Sequence, residues 1–283
     1  MQTFQKKITL NCSSQLLVLD KPIAMGIINA TPDSFFPGSR HQAVAAAVEQ
    51  AGAMLQAGAR ILDIGGYSTR PGAAEVTEEE ELNRVIPIIE GIRKSFPLAI
   101  ISVDTFRAQV ASHAVRAGAC MVNDVSAGED DALMIETIAA LGVPYIIMHK
   151  KGNPQTMQIQ PHYENVVLEV ITYLQQRVAL CKQAGIKDVV IDPGFGFGKN
   201  LEHNYKLFAS LQDLSIFELP VLVGVSRKSM IQKLLKVDTA HALNGTTALH
   251  ALALSKGADI LRVHDVAEAM ECIAIVNALN GII

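Results

Sequence analysis

One joint recurs along these 283 residues and limits what they can fold into: a stretch of helical period ends, a glycine follows, and a β-rich run begins at once. It stands at Gly58, Gly118, Gly142, Gly185 and Gly257. Glycine just past a helix end is the usual left-handed cap, so each joint reads as helix, cap, strand. Strands that alternate with helices pair in parallel through right-handed crossovers. Candidate strands fall at residues 24–28, 60–64, 99–103, 121–122, 145–148, 189–191, 221–225 and 260–263. Repeated strand–helix units in a chain of this length predict an α/β fold, a (β/α)8 TIM barrel forming a single domain over residues 1–283. Ahead of the first unit, residues 7–10 and 16–19 around Asn11 and Ser13 read as a short N-terminal β-hairpin, with residues 1–22 capping the barrel's bottom. Val44, Val48, Ala51 and Leu55 keep helical spacing. Thr77 and Glu80 make a capping box for a helix carrying Leu82, Val85 and Ile89, in which Pro87 is expected to produce a kink.

Composition narrows the function classes. With 49% apolar residues there is ample material for a core, and a net charge of −4 gives no basis for a nucleic-acid surface. Cys12, Cys120, Cys181 and Cys272 are scattered singly, the usage of a reducing compartment rather than of a disulfide framework or zinc site. The opening segment lacks the apolar core of a signal peptide, and no later run has membrane-span length, so the expectation is a cytoplasmic protein with no membrane contact.

The stretch best suited to a ligand is Asp192-Pro193-Gly194-Phe195-Gly196-Phe197-Gly198-Lys199, directly after the β-branched run Val189-Val190-Ile191. Its glycines let a ligand approach the main chain, and Phe195 and Phe197 offer flat apolar faces beside one acid. A carboxylate can accept two adjacent N–H bonds, which suits a flat heterocycle. In such a barrel the active site is built at the C-terminal strand ends. Reading only those positions gives Asn29, Thr69, Asp104, Asn123, His149, Asp192, Lys228, Arg262 and His264. Asp104, Asn123, Asp192 and Lys228 can satisfy the polar edges of a buried bicyclic ring. Arg262, His264, Asn29 and Ser68-Thr69-Arg70 can hold an anion such as a diphosphate. The hard oxygen of Asn29 suits Mg2+, which bridges phosphate oxygens while keeping most of its waters.

These motifs resemble the dihydropteroate synthase family of pterin-binding barrels. The likeness runs through Met25-Gly26-Ile27-Ile28-Asn29-Ala30-Thr31-Pro32-Asp33-Ser34-Phe35 and Gly65-Gly66-Tyr67-Ser68-Thr69-Arg70-Pro71-Gly72. It continues in Ser102-Val103-Asp104-Thr105, Asn123-Asp124-Val125-Ser126-Ala127-Gly128, Met148-His149 and the Asp192 loop, and ends in Ser226-Arg227-Lys228-Ser229 and Arg262-Val263-His264-Asp265-Val266. The resemblance implies a transferase of folate biosynthesis that condenses 6-hydroxymethyl-7,8-dihydropterin diphosphate with 4-aminobenzoate. It implies that Asp104, Asn123, Asp192 and Lys228 hold the pterin, with Arg262 stacked on it, His264 on the diphosphate, and Thr69 and Phe197 completing that site. Thr69, Arg70, Pro71, Phe197 and Ser229 then shape the aminobenzoate site, Asn29 binds Mg2+, and Asn29, Lys228, Arg262 and His264 are the catalytic set. A homodimer and inhibition by sulfonamides are implied as well.

Two positions depart from the family pattern. Tyr67 stands where a glutamate or glutamine is more common, and Phe36-Pro37-Gly38 replaces a Ser-Asp-Gly, so a loop carboxylate that steadies a developing cation is missing, with Asp33 nearby. Two other readings compete: a methyltetrahydrofolate-binding methyl carrier of the same superfamily, which needs no diphosphate site, and an inert barrel that serves as a binding partner. Ser226-Arg227-Lys228-Ser229 and Arg262-Val263-His264 weigh against the carrier, and the full set of pterin acids against the inert barrel.

Overall fold

The computed structural model describes residues 8–13, 15–30, 40–67, 76–152 and 161–281. Strands β1 (Ile8–Cys12) and β2 (Gln15–Leu19) pair antiparallel as the expected hairpin. The barrel staves are β3 (Ile23–Asn29), β4 (Ile61–Gly65), β5 (Ile100–Asp104), β6 (Met121–Asp124), β7 (Tyr145–Met148), β8 (Val189–Asp192), β9 (Leu222–Val223) and β10 (Ile260–Val263). All eight are parallel, in the order β8-β7-β6-β5-β4-β3-β10-β9. The seam between β8 and β9 is closed by one parallel bridge, Ile191 to Val221, and by the Ile191 N–H donating to the Pro220 carbonyl at 2.9 Å. The seventh stave is shorter than the expected 221–225, because Pro220 has no N–H for a ladder and Gly224 brings no side chain to pack.

Around the staves lie α1 (Arg40–Gln56), α2 (Glu78–Ser95), α3 (Ala108–Ala117), α4 (Met134–Leu141), α5 (Val166–Gln183), α6 (Leu201–Ala209), a 3-10 helix (Leu211–Phe217), α7 (Ser229–Leu235), α8 (Leu243–Ser255) and α9 (Val266–Leu279). All five joint glycines adopt positive φ, between 64° and 119°. The capping box of α2 is formed: the Glu80 N–H donates to Thr77 Oγ1 at 3.2 Å and the Thr77 N–H to Glu80 Oε2 at 2.9 Å. That helix runs through Pro87 as one element, its buried Val85, Ile88, Ile89 and Ile92 anchoring both sides of the proline.

The period-two alternation of the strands decides where chemistry can sit. Inward residues at the N-terminal end are apolar: Met25, Ile61, Ile100, Met121, Ile146, Val190, Leu222 and Ile260 pack with Leu10, Cys12, Leu17 and Leu19 of the hairpin at the barrel's bottom. The Asn11 N–H fastens this hairpin to Asp188 Oδ2 at 2.8 Å. One step further along the same inward faces, Ile61 gives way to Asp63, Ile100 to Ser102 and then Asp104, Met121 to Asn123, Val190 to Asp192, and Ile260 to Arg262. The barrel interior is therefore apolar below and polar above.

Candidate active site

Arg262 is the hub of the polar end. Its Nε donates to Asp63 Oδ2 at 2.7 Å and its Nη2 to Asp104 Oδ2 at 2.6 Å. Asn123 Nδ2 donates to the same Asp63 oxygen at 3.0 Å. Burial opposes the guanidinium charge, but Asp63 and Asp104 outweigh it and hold the pKa of Arg262 above its ordinary value. Burial pushes the Asp104 carboxyl up, with Arg262 opposing and Asp63 adding to the rise. Asp63 was not among the residues expected here, since in the sequence it looks like one polar letter inside the run Ile61-Leu62-Asp63-Ile64. The available signal was that a fully buried acid needs a partner, and its partners lie across the barrel. Asp63 Oδ1 and Ser102 Oγ, on paired positions of β4 and β5, have no hydrogen-bond partner among the described residues. Orphaned buried acceptors one layer below Asp104 fit a polar ligand edge entering from the mouth.

Asp192 ends β8, 5% exposed, and its Oδ1 accepts the Gly194 N–H at 2.7 Å. Burial raises its pKa, and Lys228, the Gly194 N–H, Arg262 and Lys199 pull it back. Lys228 follows β9; its Nζ donates to the Phe195 carbonyl and lies 4.7 Å from the centre of the Phe197 ring. Burial lowers its pKa to about 8 against the attraction of Asp192. Phe197 thus flanks the site, but Phe195 does not: it is fully buried in the core, 5.5 Å from the Phe208 ring. Both look alike in the sequence, and the positive φ of Gly194 and Gly196 turns one ring inward and leaves the other beside Lys228.

His264 lies just past β10, its Nδ1 3.0 Å from Ser226 Oγ, and the His264 N–H donates to that oxygen at 3.3 Å. Asn29 is the exposed last residue of β3, and Ser229 is the exposed first residue of α7. Asp104, Asn123, Asp192, Lys228, Arg262, His264 and Asn29 therefore share one mouth. His149 is different: only 4% exposed, it packs edge-on against Tyr173 with ring centres 4.9 Å apart, and burial lowers its pKa to about 2. Tyr67 meets the Phe106 ring edge-on at 5.2 Å, and the Arg107 guanidinium lies 5.4 Å from its centre. The expectations placed on Thr69, Arg70, Pro71, Asp33 and Phe36-Pro37-Gly38 lie outside the described residues.

Among the described residues no group of three or more His, Cys, Asp and Glu gathers to hold a metal. The donor set of the mouth nonetheless fits Mg2+ held by one protein oxygen, because that ion keeps several waters and takes its other oxygens from substrate phosphates.

The model of the family of pterin binding enzymes matches residues 25–264. Dihydropteroate synthase of Escherichia coli (strain K12) is 49% identical over 265 residues, 93% of each chain. The Yersinia pestis dihydropteroate synthase in complex with a sulfonamide drug superposes with a TM-score of 0.90 at 43% identity, covering 98% of this chain and 100% of that one. The Xanthomonas albilineans enzyme in complex with 7,8-dihydropteroate gives a TM-score of 0.86 at 40% identity, covering 96% and 99%. With a matching barrel, a matching family model and an arginine-centred polar mouth, the chain belongs to the dihydropteroate synthase family of pterin-binding enzymes.

Proposed function

We infer that this barrel joins 6-hydroxymethyl-7,8-dihydropterin diphosphate to 4-aminobenzoate, releasing 7,8-dihydropteroate and diphosphate. The observation that carries the reading is the convergence of Asp104, Asn123, Asp192, Lys228 and Arg262 at one end of a pterin-binding barrel. Asp192 accepts the adjacent N–H donors of the pterin, and Asp104, Asn123 and Lys228 meet its other polar edges. Arg262 spends Nε and Nη2 on two carboxylates, which fixes its plane so that the flat ring stacks on it. His264 and Asn29 serve the diphosphate, and Phe197 with Ser229 flanks the aminobenzoate, to which the sequence motif also assigns Thr69, Arg70 and Pro71. The C–O bond to the pterin methylene breaks with its electron pair on the departing oxygen. The aminobenzoate nitrogen adds to that carbon and loses a proton. Asn29 would hold Mg2+, which when bound would supply neutralising charge to the leaving group.

The four free, buried thiols suit a reducing cytoplasm, and no helix among the described residues is long and apolar enough to cross a membrane. The outer faces of α8 and α9 support a homodimer. Leu252, Ile275 and Leu279 are 52%, 61% and 80% exposed, and α8 carries no charged residue, whereas α2 opens with four acids.

The direct test follows diphosphate release with both substrates and Mg2+ present. Release that needs both substrates is expected, with dihydropteroate formation falling as a sulfonamide competes with aminobenzoate; release independent of any arylamine would overturn the reading. Asp192→Ala leaves ligand donors unpaired and should weaken pterin binding about 30-fold or more by calorimetry.

A further inference from the structure

Lys199 is a buried cation to which the roles above give nothing. Its side chain sits in a residue 2% exposed, and its Nζ donates to the Gly194 carbonyl at 2.8 Å and the Phe197 carbonyl at 3.1 Å. The same nitrogen lies 2.9 Å from His149 Nδ1 and 3.4 Å from the His149 carbonyl. Burial pushes the Lys199 pKa well below its ordinary value and Asp192 opposes the fall; the carbonyls at 2.8 and 3.1 Å and the imidazole nitrogen at 2.9 Å match the three N–H donors of an ammonium, one more than a neutral amine has. The imidazole is neutral, since burial and the neighbouring Lys199 charge both depress its pKa, and Nδ1 therefore serves as acceptor with the proton on Nε2.

The cage has a ligand-facing side. Within the loop that Lys199 gathers from behind, the Gly194 N–H holds Asp192 Oδ1, the Phe195 carbonyl receives Lys228, and the Phe197 ring lies beneath the same Lys228 ammonium. The loop also lies directly on the end of β7: a Cβ placed on Gly194 would sit 1.9 Å from the His149 carbonyl oxygen, and one on Gly198 2.2 Å from that of Lys151. The Gly194 carbonyl also accepts the Phe197 N–H across the turn at 3.2 Å, and the lysine adds a second, charged donor that ties it to the Phe197 carbonyl.

We propose that Lys199 is a positioning residue for pterin recognition: its buried ammonium gathers the Gly194 and Phe197 carbonyls onto the end of β7, and so sets the Asp192 carboxylate and the Phe197 ring at the ligand. This rests on the reading that Asp192 takes the pterin's N–H edge. The charge acts in the same direction as the geometry. The groups facing Asp192 are Lys228 from the loop after β9, Arg262 from β10 and Lys199 from its own loop, all cationic, with neutral His149 from β7 behind the lysine. Removing Lys199 takes away one of three cations that favour the ionised acceptor. The acid limb of pterin affinity then moves to higher pH.

The test is calorimetric titration of the full chain with 6-hydroxymethylpterin, an unreactive probe, across pH, for the parent, Lys199→Met, Lys199→Gln and Asp192→Ala. Lys199→Met should weaken binding at least 10-fold and move the acid limb upward. Lys199→Gln keeps donors for two carbonyls but no charge, so it should bind between the two with the same moved limb. Should the methionine variant not fold, the glutamine variant decides on the same readouts. Binding within twofold of the parent and an unmoved limb, beside a large loss in Asp192→Ala, would reduce Lys199 to a core filler. Unchanged binding in Asp192→Ala would instead remove the reading on which the proposal rests.

Discussion

Asp63 holds Arg262 and Asn123 on a single oxygen, so its effect on the reaction runs through two other side chains. Asp63→Asn keeps the shape but loses the charge that orients the guanidinium, and charge-assisted bonds are worth roughly 1.5–3 kcal/mol. Its kcat/KM should fall about 10- to 100-fold in steady-state assays; a change within twofold would mean that Asp104 alone holds the arginine. Lys228 gives the site an alkaline limb. With burial lowering its pKa to about 8, pterin affinity should decline as pH rises through that value, and Lys228→Arg should abolish the decline even if it binds less tightly. His250 concerns stability. It is 1% exposed with neither ring nitrogen paired among the described residues, and burial lowers its pKa from the ordinary 6.5 to about 4. A depressed histidine contributes stability that is present above about pH 6.5 and lost as pH falls toward 4, because the unfolded chain binds the proton first. Because His250→Leu removes two buried, unpaired nitrogens, it should be more stable than the parent in urea denaturation at pH 7.5 by about 1–2 kcal/mol, and, since only the parent loses stability to protonation, by about 2 kcal/mol more at pH 5.

At the scale of elements, two kinds of glycine with the same backbone sign have different jobs. Gly142 ends α4 with φ 64° and open space where a Cβ would point, so only the left-handed backbone is at stake. Gly194, with φ 71°, lies against the backbone after β7. Gly142→Ala should cost about 1–2 kcal/mol of stability and leave pterin binding near the parent's. Gly194→Ala must push two loops apart; it should cost clearly more stability and lose pterin binding by calorimetry. Equal effects of the two would mean that the loops yield easily. The capping box of α2 and the helix-cap-strand joints were legible in the sequence because each is local, made by residues three or four positions apart. The shortness of β9 was not read from its apolar run, although Pro220 and Gly224 at its flanks limit the ladder.

Across the whole molecule, the barrel has a dry end, plugged by the hairpin, and a polar end where Arg262 gathers Asp63 and Asp104. Its outside is uneven as well: α7, α8 and α9 present Leu234, Leu235, Leu252, Ile275 and Leu279, whereas α2 opens with four acids. If those faces meet in a second copy, light scattering should give a dimer at micromolar concentration, and Leu252→Glu with Ile275→Glu should shift it to monomer. A monomeric parent at tens of micromolar, on the order of ordinary assay concentrations, would remove the dimer.

The sequence by itself determined the alternation of helix and strand, the end of the barrel where polar residues gather, and the family, because caps, β-branched runs and loop motifs are written in neighbouring residues. The tertiary structure decided the pairings. Arg262 meets Asp63 and Asp104 across 199 and 158 positions of chain, a choice made by strand register and by which side of each strand faces inward. It also decided that Phe195 is core while Phe197 flanks the site, and that Lys199 closes on four atoms from two loops. A strand states its own period, but only closure of the barrel brings the inward faces of distant strands within hydrogen-bonding reach of one another.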